Sequence, residues 1–218
     1  MSTKVSYRPE GETFIIENYN QAKTFSNFFA SIAGELGIPL WVFYVNRAQA
    51  VCAFGLKDKD HAFLEFQPAN KAYQNVQHVG FRTFLKINKN TYYEPFREDH
   101  FYRGAAVFQT MAINAQDLTI QETNTRLGLR TTVRYSLMVE EPFPGLVRKV
   151  SFENIGRKKL SLEVLDGLSQ VVTYPENNWF LKEMSCTIQA WALAERLNHD
   201  KGFLFRLKVD PADVAYTK

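Results

Sequence analysis

The sequence predicts an all-β protein, an antiparallel β-sandwich with one or two short helices. Three observations predict it. Short segments rich in aromatic and β-branched residues run between stops of Gly, Pro and Asn. In the second half of the chain, apolar and polar residues alternate with the period of two that sets one strand face on a core and the other toward water. The aromatic share is 14%, with 18 Phe, 10 Tyr and 3 Trp, which calls for a packed interior or a binding face and excludes disorder. At 218 residues one domain suffices, since sandwiches commonly occupy roughly 200–250 residues.

Each element follows in order. Lys4–Arg8 and Thr13–Glu17 read as two short strands around Pro9-Glu10-Gly11. Asn18–Gly37 lacks alternation, and the spacing of Phe25, Phe28, Phe29 and Ile32 suits one face of a short helix or an ordered loop. Leu40–Asn46 is a nearly continuous apolar run, as expected of a strand buried on both sides. A turn at Asn46-Arg47-Ala48-Gln49 leads to a strand at Val51–Phe54, and Lys57-Asp58-Lys59-Asp60 forms a charged hairpin tip before Ala62–Phe66. Pro68–Gln77 opens on proline and predicts a short helix. Phe81, Thr83, Leu85 and Ile87 alternate with Arg82, Phe84 and Lys86, and Asn88-Lys89-Asn90 turns the chain into Tyr92–Glu94, a meander. Further alternating sets occur at Leu118 and Ile120, Val133–Val139, Leu160–Val164 and Phe203–Val209. Glu141-Pro142-Phe143-Pro144-Gly145 is a turn. Trp179–Leu197 is ambiguous and is read as a short helix near Leu181–Ser185, then a strand through Trp191.

Charge and motifs exclude several classes of function. The net charge is +3 from 26 basic and 23 acidic residues with interspersed signs, so no nucleic-acid partner is expected. No run approaches the ~18 apolar residues of a membrane helix, and Met1–Ser6 lacks a signal-peptide core, so a cytoplasmic protein with no membrane partner is expected. Cys52 and Cys186 sit in apolar settings and read as buried free thiols. His61, His78, His100 and His199 are scattered, without metal-site spacing, and no phosphate-cradling glycine loop or serine elbow occurs.

Carboxylates remain, because glycosidic chemistry needs only two across a sugar. Glu65, Glu94, Glu98, Asp99, Glu140, Glu141, Asp166 and Glu183 are available, but spacing pairs none of them. Asp166, beside Gly167, reads as a turn residue. A binding role has more material. Trp41, Tyr44, Tyr73, Tyr92, Tyr93, Trp179 and Trp191 could stack on pyranose faces, with Asn46, Arg47, Gln74, Arg82 and Arg103 as polar grips; core filling is the competing reading for each aromatic.

Several longer motifs carry a resemblance. They are Phe14-Ile15-Ile16-Glu17-Asn18-Tyr19, the run Gly37–Arg47, the run Phe66–Gln74, Gly80-Phe81-Arg82-Thr83-Phe84, the run Leu162–Leu168 and the run Asn178–Ser185. Over most of its length the chain resembles the N-terminal region of bacterial β-glucan phosphorylases. These are the 1,2-β-oligoglucan phosphorylase type of glycoside hydrolase family 94 and the related β-1,3-glucan phosphorylases, relatives of cellobiose phosphorylase. One departure is Ala48, where the resemblance leads us to expect glycine, which implies a strained or reshaped turn.

The resemblance implies a galactose mutarotase-like supersandwich, incomplete within residues 1–218, and a catalytic (α/α)6 barrel that is absent from them. It implies inverting phosphorolysis in the parent enzyme. A barrel aspartic acid protonates the glycosidic oxygen while inorganic phosphate, the co-substrate, attacks the anomeric carbon; no cofactor is implied. This chain alone is then expected to be non-catalytic. Such sandwiches shape one side of the substrate cleft, in some members across a subunit boundary. The partners implied are a β-glucan oligosaccharide, the barrel in the same or a separate chain, and a second copy in a homodimer. Trp41, Tyr44, Asn46, Arg47, Lys71, Tyr73 and Arg82 become the candidates for cleft or interface residues. A free-standing carbohydrate-binding domain and a pure protein-docking domain are the alternatives.

Overall fold

The computed structural model describes residues 4–29, 35, 37–99, 106–169, 171, 183–184, 187, 190–198 and 202–207. The first half holds β1 (Ser6–Glu10), β2 (Thr13–Glu17), β3 (Ser26–Phe28), β4 (Leu40–Val45), β5 (Val51–Leu56), β6 (Ala62–Leu64), α1 (Ala69–Val79), β7 (Phe81–Ile87) and β8 (Thr91–Tyr93). The second holds β9 (Val107–Ile113), β10 (Asp117–Asn124), β11 (Leu129–Leu137), β12 (Leu146–Asn154), β13 (Leu162–Leu168), β14 (Ala192–Leu197) and β15 (Gly202–Leu207).

The protein is an all-β sandwich of antiparallel sheets. One layer is a six-stranded sheet in the order β1-β2-β9-β10-β11-β12. The facing layer is built from two smaller sheets, β3-β4-β5-β6 and β13-β7-β8, while β14 and β15 pair with each other. The main core fills the space between the layers. Ile16, Met111, Ile120 and Val133 of the large sheet meet Leu40, Val42 and Val51 of the facing one. Each such side chain, fully buried, contributes about 1.5–3 kcal/mol. A smaller core sets Leu85 and Ile87 of β7 on Leu129 of β11, flanked by Phe152 and Leu162.

β4 is buried on both sides, as its unbroken apolar run predicts. Leu40, Val42 and Tyr44 face the main core. Phe43 and Val45 face the other way, onto Ala72 and Val76 of α1. The helix forms where Ala69, Ala72, Tyr73 and Val76 repeat at i, i+3, i+4 and i+7, giving one apolar face. It stops at Gly80, whose N–H donates to Val76 O at 3.1 Å. Opposite Trp41, Gly55 is required for space: a Cβ there would lie 2.4 Å from His61 O and 2.9 Å from the indole.

Several expectations need correction. The stretch after Asn18 is a 3₁₀ turn (Tyr19–Gln21) and the strand β3, with no α-helix over its described residues. Its phenylalanines follow strand parity: Phe25 and Phe29 point to the main core, while Phe28 packs on Trp41, Phe43 and Phe66. Asp166 is not a turn residue; it lies inside β13, opposite Thr83. The strand expected through Trp191 begins at Ala192 instead. Leu181, Lys182, Ser185, Ile32, Trp179, Arg103 and Cys186 lie outside the described residues.

Candidate functional site

The turn between β4 and β5 is tied to the rest of the fold by a dense set of hydrogen bonds. Asn46 is fully buried; its Oδ1 accepts from Phe25 N–H at 2.9 Å, and its Nδ2 donates to Tyr19 O at 3.1 Å and Lys23 O at 3.0 Å. Arg47 donates from Nη1 to Asn46 O at 2.7 Å and from Nη2 to Ala22 O at 3.0 Å, and its Nε lies 3.7 Å from Glu98 Oε1. Two buried phenols complete the clamp: Tyr19 donates to Ala48 O at 2.6 Å and Tyr135 to Gln49 O at 2.8 Å. Burial, chiefly, raises the pKa of both tyrosines, so they remain donors. Ala48 sits at φ 44° and Ala50 at φ 67°, left-handed conformations that glycine adopts without strain. The clamp holds the turn where alanine alone would relax.

Next to this turn a polar seam joins the two layers. Arg148 of β12 points into the sandwich with its side chain 8% exposed. Its Nη1 donates to Asp166 Oδ2 at 2.5 Å, and its Nη2 to Gln49 Oε1 at 2.6 Å and Thr83 Oγ1 at 3.2 Å. Thr83 in turn donates to Asp166 Oδ1 at 2.5 Å and accepts from Gln49 Nε2 at 3.0 Å. The guanidinium also rests 4.8 Å above the Phe81 ring. Burial opposes its charge, but the hydrogen bond it donates to Asp166 and the charges around it offset this and raise the pKa. Glu122 is a buried carboxylate: it accepts from Tyr93 Oη at 2.5 Å, Gln109 Nε2 at 2.7 Å and Phe96 N–H at 2.8 Å.

Among the described residues, two of the surface hollows bear on the candidates. One, of about 260 Å³, is walled by Phe28, Trp41 and Phe66, with Lys57, Asp58 and Lys59 at its rim. The Trp41 indole N–H donates to Asp58 O at 3.2 Å, and Phe66 meets Trp41 edge-on at 5.9 Å. The other, of about 310 Å³, lies on the outer side of β7 and β8 and is lined by Arg82, Phe84, Tyr92, Glu94, Arg97 and Asp99. Arg82 grips Glu94 with two hydrogen bonds, 2.7 and 3.0 Å, and Arg97 grips Asp99 with two at 2.9 Å.

The seven candidates from sequence thus separate. Tyr44, Asn46 and Arg47 come together at the buried turn, where the amide and the guanidinium hold backbone. Trp41 walls the first hollow and Arg82 lines the second, and neither hollow holds another of the seven. Lys71 is exposed on α1, and Tyr73 packs half-buried between α1 and the sheet. The sequence pattern does not single out Arg97, Arg148, Gln49 or Glu122 as site residues. Glu122 was within reach, since Leu118 and Ile120 alternate inward and Glu122 takes the next inward place.

No family model and no curated protein matches the chain. Among the described residues no helix is long and apolar enough to cross a membrane, and no three His, Cys, Asp or Glu side chains converge as metal ligands.

Proposed function

We propose that this chain is the non-catalytic β-sandwich of a cytoplasmic glycoside phosphorylase acting on β-glucan oligosaccharides. It packs on a helical catalytic barrel and shapes one side of the substrate cleft. Inorganic phosphate is the co-substrate of the parent enzyme, and the acid that protonates the glycosidic oxygen belongs to the barrel. The observation that carries this reading is the aromatic hollow: Phe28, 51% exposed, stands beside Trp41 and Phe66 on the outer side of β3 and β4. An apolar surface of this kind, rimmed by charged residues, marks a contact face. The motifs of the resemblance support it too, since the run ending at Arg47 supplies β4 and the clamped turn, the run from Phe66 supplies α1, and Gly80–Phe84 opens β7.

The test is association with a barrel. The coding sequence that follows or neighbours this one should encode a helical polypeptide, and the two parts should co-purify. Phe28→Glu should weaken that association by about tenfold or more, because a carboxylate would be desolvated at the contact. Absence of a helical barrel in the locus, or an association indifferent to Phe28→Glu, would refute the reading.

A further inference from the structure

We infer that one end of the sandwich docks an acidic segment of a partner polypeptide. Three loops meet at that end: residues 88–90 between β7 and β8, 125–128 between β10 and β11, and 155–161 between β12 and β13. Gly128 O accepts from Ile155 N–H at 2.8 Å and from Gly156 N–H at 3.2 Å, which ties the second loop to the third. Asn88 N–H donates to Ser161 O and Asn88 Oδ1 accepts from Ser161 N–H, each at 3.0 Å, which ties the third to the first. Leu127 and Leu160, from the loops themselves, pack on the smaller core of Leu85, Ile87 and Leu129 beneath. The backbone at this end is therefore set before any partner arrives, and binding has only side chains to order.

The three loops gather cations that lie far apart in sequence. Lys89, Arg126, Arg157, Lys158 and Lys159 are all exposed there, and none of these side chains has an ion-pair or hydrogen-bond partner. The carboxylates on the adjoining strands are engaged by other cations: Glu153 pairs with Arg130 at 2.7 Å and Glu163 with Lys86 at 2.9 Å. Like charges gathered this way repel one another, and an anionic partner relieves the repulsion. The chain carries +3 overall, so with five positive charges at this end the remainder sums to −2. A nucleic acid long enough to run past the loops would meet that negative remainder, whereas a short acidic segment would not. None of the three loops contains an aromatic residue on which a base could stack. No large apolar side chain is exposed on them to enter a bilayer. An extended polypeptide sets alternate side chains about 7 Å apart, so a few Asp or Glu residues in one strand reach several of these cations together. Exposed ion pairs are individually weak and screened by salt, so the attraction depends on several acting at once.

The test is fluorescence anisotropy of a labelled peptide of about twelve residues rich in Asp and Glu, titrated with the full chain. An Asn/Gln analogue, duplex DNA, anionic lipid vesicles and inorganic phosphate are run beside it. Saturable binding of the acidic peptide is expected, with none of the neutral analogue, and it should weaken about tenfold between about 50 and 200 mM salt. It should weaken about tenfold in Lys158→Glu/Lys159→Glu and severalfold in Arg126→Glu, which reverses one charge on a different loop. Lys71→Glu makes the same one-charge reversal on α1, away from these loops, and should leave binding within about twofold of the parent. Thermal melts of the same samples establish that the exposed-loop variants stay folded. An equal loss in Lys71→Glu would reduce the effect to overall charge and overturn the proposal. So would the absence of saturable binding, or tighter binding of DNA or vesicles than of the peptide at equal salt, or displacement of the peptide by phosphate at equal concentration. None of these outcomes bears on the phosphorylase reading.

Discussion

Replacing Arg148 by methionine isolates the seam that joins the two layers. The methionine retains most of the apolar stem and removes the guanidinium alone. Three consequences add. Gln49, 2% exposed, loses the donor to its Oε1, and an acceptor stranded at that depth costs about 1–3 kcal/mol. Thr83 loses a weaker contact at 3.2 Å but keeps Asp166 and Gln49. Asp166 loses its charge partner, yet its side chain is 30% exposed and rehydrates in part, so the ~3–5 kcal/mol of a fully buried broken pair is an upper bound. The sum is a loss of about 3 kcal/mol. In urea, with a slope of roughly 2–3 kcal/mol per molar, the midpoint should fall by about 1 M or more. Adding Asp166→Leu to Arg148→Met should recover part of that loss, because the second substitution removes the orphaned carboxylate. A single-variant loss below about 1 kcal/mol, or a double variant as unstable as the sum of the two singles, would refute the seam as a coupled unit.

Three other perturbations follow from the same geometry. Burial raises the Glu98 carboxyl above its ordinary 4.5, with Arg47 and His78 pulling it back, so the native state holds a proton that the unfolded chain has released. Stability should therefore fall as pH rises through the window above 4.5, and Glu98→Gln should flatten that slope in pH-dependent urea melts; an unchanged slope contradicts the assignment. Gly55→Ala should destabilise by about 3 kcal/mol, since the new Cβ meets backbone at 2.4 and 2.6 Å and neither strand can yield; a thermal midpoint within a degree or two of the parent would contradict it. Burial pushes the Cys52 thiol up to about 12, so in a Cys186→Ser background it should resist a thiol reagent at pH 8 until denaturant is added, and rapid native-state labelling would refute its burial.

Sequence pattern reads the hydrophobic side of this fold well and its polar interior badly. β4 is legible because six successive apolar residues need two buried faces, and the core and α1 supply them. α1 is legible from Pro68 and the four-residue spacing after it. β12 is hidden because Arg148 stands at an inward position between Leu146 and Val150 and breaks the alternation. Its partner is hidden for the same reason: Asp166 beside Gly167 has the local chemistry of a turn, and only the distant pairing with Thr83 and Arg148 keeps it in a strand. At the candidate site, residue type misleads where burial decides. Asn46 and Arg47 are the polar types that grip sugars, yet each is satisfied by backbone carbonyls brought in from Tyr19, Ala22 and Lys23. Arg82 is legible from its place in β7, but its pairing with Glu94 and the approach of Arg97 to the same carboxylate are encoded in no local pattern.

Release of glucose 1-phosphate from β-glucan oligosaccharides and phosphate tests the central claim most directly, measured for this chain alone and for the chain joined or mixed with a helical barrel of the proposed kind. The proposal predicts no product from the sandwich by itself and steady release once the barrel is present. Product from the sandwich alone, or none from the combination, would contradict it.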